Sequence, residues 1–138
     1  MTHHLITAGL AVLGALLLPP AAVDTYPKNP GIDALNYAFT IELSDTTDMI
    51  AGELALDVRF VAAGVRAVRL DLISASATAG GKGMRVSGVT MNGQAVPYTH
   101  ANDVLLVPLA SAPAINQRAR LMVRYQGTPA TGLKIGNN

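Results

Sequence analysis

The sequence contains no cysteine and no tryptophan. Without cysteine the chain has no disulfide, no thiolate zinc site and no cysteine nucleophile. That absence leaves the cellular compartment open. Aromatic residues are few, two Phe and four Tyr, so any core must be drawn mainly from Val, Leu, Ile and Ala. Charge is also sparse. Charged residues make up 14% of the chain and the formal net charge is +1. A nucleic-acid binder is expected to carry a pronounced basic patch, and this balance gives none. What is present is hydrophobic. Half of the 138 residues are apolar, which excludes a solvated disordered tail and suits one domain with a buried core.

The few charges are unevenly spread. From Asp24 to Asp71 there are eight acidic and four basic residues, and from Lys82 to Lys134 six basic residues and one acidic residue, Asp103. Two differently charged solvent faces account for this division. The sharper alternative is that one half faces an oppositely charged partner.

Residues 1–22 resemble an export signal. Leu5 to Leu18 is apolar apart from Thr7, Gly9 and Gly14, and Pro19, Pro20, Ala21 and Ala22 follow. Small residues at that point suit cleavage after Ala22, and the run is too short for a membrane-spanning helix, which needs about 20 apolar residues. The positive end is supplied only by the amino terminus, His3 and His4. The expectation is an exported protein, periplasmic or secreted, with an uncleaved anchor as the alternative. Residues 23–33, with Pro27 and Pro30, read as an extended lead-in.

From residue 34 to 135 the pattern is that of strands. Leu35, Tyr37, Phe39, Ile41 and Leu43 alternate with small or polar residues. After the polar break Ser44–Asp48, so do Ile50, Leu54, Leu56, Val58 and Phe60. Alternation with period two gives each strand one face for a core and one for water, and the pair reads as an antiparallel hairpin. Val68–Leu72 forms a third strand. Ser74–Gly83 is small, polar and Gly-rich, and reads as a flexible surface loop with no packing capacity. Met84–Met91 is a fourth strand, Asn92-Gly93 a hairpin turn, and Gln94–Tyr98 the fifth. Val104–Leu109 is a sixth strand, apolar enough to be buried on both faces. Arg118–Tyr125 is a seventh. No helix is expected beyond residue 22. The predicted fold is all-β, an antiparallel β-sandwich of about seven short strands preceded by a signal peptide.

No catalytic set emerges. Beyond residue 22 the sequence has a single histidine, His100, and one histidine with scattered carboxylates does not make a zinc site of three or four ligands. Its place near a turn suits a capping or solvent-facing role. Asp45 and Asp48 lack the dense oxygen-ligand pattern of a calcium loop and read as a hairpin tip. Ser44, Ser74, Ser76, Ser87 and Ser111 have no GxSxG context. Gly80, Gly81 and Gly83 lack the spacing of a phosphate loop. Arg118, Arg120 and Arg124 share one strand face, where a charged outer surface is expected and an anion site is the alternative.

The ordered set of strands resembles a known family. Asp33–Leu43 with Gly52–Phe60, then Leu70-Asp71-Leu72, Val86–Gly93, Asp103–Leu109 and Leu121–Leu133 follow one another like the opening strands of the N-terminal β-sandwich in the zinc aminopeptidases of peptidase family M1, the aminopeptidase N type. The closing spacing of Tyr125, Gly127, Pro129, Gly132 and Leu133 is its most specific part, and the resemblance spans about residues 26–135. It implies the front portion of that domain only. The family's HExxH motif, its downstream glutamate ligand and its Gly-rich exopeptidase motif are not found in this sequence. No catalytic, cofactor-binding or metal-binding residue is therefore carried over, and zinc is expected only in a catalytic domain that this sequence does not contain.

The resemblance implies a non-enzymatic, structural segment of an exported aminopeptidase-like protein that packs on the catalytic domain and helps wall its cleft. Exposed strand edges suggest self-association, and neither nucleic acid nor a membrane span is expected. The competing expectation is an autonomous exported binding module for a protein or glycan partner, and the shortage of aromatic rings counts against glycans.

Overall fold

A computed structural model describes residues 29–131. The proposed signal segment, most of the lead-in and the Gly132-Leu133 end of the closing motif lie outside the described residues. Among the described residues eight strands are formed: β1 (Ile32–Leu43), β2 (Ile50–Phe60), β3 (Ala67–Asp71), β4 (Gly83–Met91), β5 (Gln94–Ala95), β6 (Thr99–Ala101), β7 (Val104–Pro108) and β8 (Arg118–Thr128). They build a five-stranded sheet, β1-β2-β8-β4-β5, and a three-stranded sheet, β3-β7-β6. Every ladder is antiparallel. The two sheets pack through one hydrophobic cluster that includes Leu54, Leu56, Val58, Phe60, Val68, Val89, Leu105, Val107, Leu121 and Val123. This is the expected all-β sandwich.

The expected hairpin forms, with Tyr37 opposite Leu56 and Phe39 opposite Leu54. Asn92 and Gly93 take positive φ of 49° and 82°, as a type I′ turn requires. Asn102 and Asp103, at 51° and 62°, make a second such turn between β6 and β7.

Four expectations need correction. The predicted fifth strand, Gln94–Tyr98, is two pieces of chain in one. Only Gln94 and Ala95 pair with β4, and the chain then crosses so that Thr99–Ala101 pairs with β7 in the other sheet. Pro97 lies at the crossing, where its missing N–H removes a ladder donor. The predicted sixth strand is buried on one face only. Leu105 and Val107 are fully buried whereas Leu106 is 39% exposed, because no layer among the described residues covers the outer side of the three-stranded sheet. Ser74–Gly83 is not a loose connection. Ser76 accepts from Ala79 and Gly81, and its N–H donates to the Lys82 carbonyl, while Ser74 bridges to Met84. Gly83 is buried, with no room for a Cβ between its backbone and that of Ser74.

The fourth correction concerns β1. Its apolar residues point to the core side, in register with buried Leu54 and Leu56, yet Tyr37, Phe39, Ile41 and Leu43 are 52%, 60%, 51% and 64% exposed. The three-stranded sheet ends at β3, and nothing among the described residues lies over β1.

Candidate functional site

The outer face of the five-stranded sheet carries the charged side chains. Arg120 on β8 holds Asp57 on β2 through two parallel bonds, Nε to Oδ1 at 2.7 Å and a terminal NH2 to Oδ2 at 2.8 Å. Arg124 Nε donates to Glu53 at 2.7 Å. Arg59 donates to Asp33 on β1 at 2.6 Å. Asp57 stands opposite Arg120 in the β2–β8 register, Glu53 opposite Arg124, and Asp33 opposite Arg59 across β1 and β2. The acidic first half and the basic second half of the sequence thus meet within this chain. Arg120 and Arg124 are occupied by carboxylates, which leaves the anion-site alternative without two of its three residues. The bond from Arg120 holds the Asp57 carboxyl below the usual aspartate range, and Asp57 in turn raises the Arg120 guanidinium.

A cleft of about 540 Å³ opens beside this pair, lined by Leu35, Asn36, Asp57, Asn92, Arg118 and Arg120. It sits where the β1–β2 register shifts between Ala34 and Asn36. Its one carboxylate is already engaged by Arg120, so no free acid–base pair faces the space.

His100 is a structural residue. Its Nε2 lies 2.8 Å from the Leu72 carbonyl and ties β6 to the end of β3. Asp103 accepts from the Ser74 N–H at 2.8 Å, and the Ser74 hydroxyl accepts from the Asp103 N–H at 3.0 Å, so these two also close a loop junction. Asp45 and Asp48 stand in the β1–β2 turn, which is held by Ser44 with Thr46 and by Thr47 with Met49. Among the described residues no three His, Asp or Glu side chains gather as metal ligands would.

The feature that periodicity did not single out is apolar. Between the β1 stripe and the edge of β3 runs a groove of about 190 Å³, lined by Tyr37, Phe39, Leu54, Leu70, Leu72, Leu105 and Tyr125, among others. Tyr37 and Phe39 stack with ring centroids 6.1 Å apart and planes 6° from parallel. Burial of the Tyr125 ring raises its phenol above the usual tyrosine range. The alternation of β1 announced an apolar face, but it could not say that the chain's second sheet stops short of covering it.

Known structures share this fold. The M1 zinc metallopeptidase from Deinococcus radiodurans superposes with a TM-score of 0.59 and 25% identity, over 72% of this chain and 21% of that one. The chain has the fold of one part of the M1 zinc metallopeptidases. A mutant of the Deinococcus M1 enzyme bound to a Tyr-Ser-Ala substrate gives the same figures. A two-domain M1 zinc metallopeptidase mutant bound to L-arginine matches at 23% identity and a TM-score of 0.59, over 78% of this chain and 22% of that chain. The chain therefore spans about a fifth of the length of the M1 structures it matches. That share fits the front portion of an N-terminal domain, in line with the strand motifs. No family model and no curated protein matches the sequence.

Proposed function

We propose that this chain is the non-catalytic, N-terminal β-sandwich portion of an exported M1-type aminopeptidase, with the structural role of packing on the catalytic domain and helping to wall its cleft. The observation that carries the reading is the fold match to M1 zinc metallopeptidases over most of this chain and only a fifth of theirs. The side chains support it. The carboxylates of the sheet face are engaged by arginines across the strands, and His100 is spent on a backbone carbonyl. Neither is arranged to activate water.

In this reading zinc and the amine-recognising residues belong to the catalytic domain, and the sandwich contributes surface and rigidity. The purified chain with added zinc is expected to leave amino-acid aryl amides intact; chelator-sensitive turnover would overturn the assignment. The reading frame downstream of codon 138 is expected to encode HExxH, and unrelated sequence there would favour a free-standing binding module. N-terminal sequencing of the exported protein is expected to start near Val23, whereas intact Met1 on the exported protein would refute cleavage at that point.

A further inference from the structure

Three arginines of the outer sheet face, Arg59, Arg120 and Arg124, are each held by a carboxylate. Arg118 is exposed and has no carboxylate partner among the described residues. It stands directly opposite Arg59 in the β2–β8 register. Like charges facing each other on one sheet face cost stability. Asp33, the partner of Arg59, lies on β1, on the other side of β2 from Arg118. The Nε of Arg59 is buried without a partner among the described residues. This end of the face is short of acceptors.

The cleft of about 540 Å³ opens at the same place, with Arg118 in its lining. Sites for small molecules occupy roughly 300–1,000 Å³. Its lining holds more free donors than acceptors. Arg120 binds Asp57 through Nε and one terminal nitrogen, which leaves its other terminal nitrogen unpaired. Asn92 accepts the Arg120 backbone N–H on its Oδ1 at 2.9 Å, so its side-chain NH2 is left to donate. The charged lining is two cations and one anion, Arg118, Arg120 and Asp57. One positive charge in excess suits a monoanion. A phosphate dianion would exceed that charge and would face Asp57. The planar fork of a guanidinium matches the two oxygens of a carboxylate. The cleft also has an apolar wall. Leu35 is the extra residue of the β1 bulge, without a partner on β2, and it lines this cleft while 41% exposed. Bulges commonly re-aim a side chain beside a site.

We propose that this cleft binds an organic monocarboxylate with an apolar skeleton, its carboxylate on Arg118 and the Asn92 amide and its carbon chain on Leu35. The inference stands on the cleft alone, and its failure would leave the M1 likeness untouched.

The test is an NMR titration of the isotope-labelled full chain with isovalerate and with its neutral counterpart isovaleramide, at constant ionic strength. Saturable shifts are expected with the acid at Leu35, Asn36, Asn92 and Arg118–Arg120, and none with the amide. Arg118→Gln should weaken isovalerate binding about tenfold, the loss of one charged hydrogen-bonding partner. Arg85 is an exposed arginine outside the cleft, without a carboxylate partner among the described residues. Arg85→Gln should leave the affinity unchanged. Leu35→Ala should weaken isovalerate several-fold and acetate not at all. Without ligand, Arg118→Gln relieves the opposed cations, so it is expected to resist urea at least as well as the native chain at low salt. A short peptide ending in leucine, with a free or an amidated C-terminus, identifies the source of the carboxylate. Tighter binding of the free-ended peptide than of isovalerate would assign the cleft to polypeptide ends, and weaker binding to free acids. Equal shifts with isovaleramide, equal weakening by Arg118→Gln and Arg85→Gln, or a loss of stability in ligand-free Arg118→Gln would each overturn the proposal.

Discussion

The ring of Tyr125 lies over Gly52, in the space that a Cβ at that position would fill. The two residues are register partners on β8 and β2. A glycine inside a strand ordinarily weakens it, but here its bare backbone is the floor on which an aromatic ring rests. Gly52→Ala is expected to cost about 1–3 kcal/mol, because the ring must leave its position. The same substitution in a Tyr125→Ala background should cost much less, with a coupling energy above about 0.5 kcal/mol in a double-mutant cycle measured by urea unfolding. Additive effects would show that the ring moves aside freely.

The Asp57–Arg120 pair makes stability depend on pH in a predictable direction. The folded-state pKa of Asp57 is lowered, so the pair's contribution is present above the ordinary aspartate value of about 3.9 and is lost as pH falls through the depressed one. Thermal unfolding of the native chain and of Asp57→Asn should therefore differ at neutral pH and converge in strong acid. The difference should also shrink with added salt, since the pair is exposed to solvent. A gap between the two that persists in acid would mean that the carboxylate does not act through its charge.

Tyr98 joins the two sheets at one point. It lies where the chain crosses between β5 and β6, and its hydroxyl donates to the Val86 carbonyl at 3.1 Å. Val86 stands at the irregularity in the β4–β8 ladder. Tyr98→Phe keeps the ring and leaves that half-buried carbonyl without this donor. It is expected to lower stability by about 1 kcal/mol while the fold is retained. Amide exchange should accelerate around Val86–Gly88 more than in β7; a uniform change would argue that the bond does not pin the irregularity.

Gly127 and Gly83 meet backbone to backbone where β8 ends and β4 begins, with no room for a Cβ on Gly127 against the Gly83 carbonyl. Here the obstacle is main chain, which cannot swing away as a tyrosine ring can. Gly127→Ala is therefore expected to cost at least as much as Gly52→Ala, about 3 kcal/mol, read by the same urea titration. A smaller loss would show that the two strand ends separate easily.

Much of this architecture was legible because alternation and turn residues are local signals. The β1–β2 hairpin, the Asn92-Gly93 turn and the strand that became β8 follow from them. The sheet switch after Ala95 was not legible, because a strand that changes partners keeps the same alternation on either side of the change. Leu106 misled for a related reason: an apolar run shows which residues would tolerate burial, not whether another layer exists to bury them. At the candidate site, the ion pairs were half visible. The unequal charge of the two halves was plain, but only the β2–β8 register shows that Asp57 and Glu53 answer Arg120 and Arg124. The groove depends on where the smaller sheet ends, which no single strand's pattern encodes.

The position of β8 between β2 and β4 sets the order in which this protein can be assembled. Val58 pairs with Ala119, 61 positions later, and Ile50 with Gly127, 77 positions later. Only β1–β2 and the short β4–β5 turn can zip up from neighbouring sequence in the larger sheet. The two halves of that sheet must wait for the last strand to be wedged between them. Folding is accordingly governed by distant pairings and belongs to the slow, millisecond-to-second regime of all-β domains. On the ribosome, the emerging chain carries an unclosed sheet until residues 118–128 have been made.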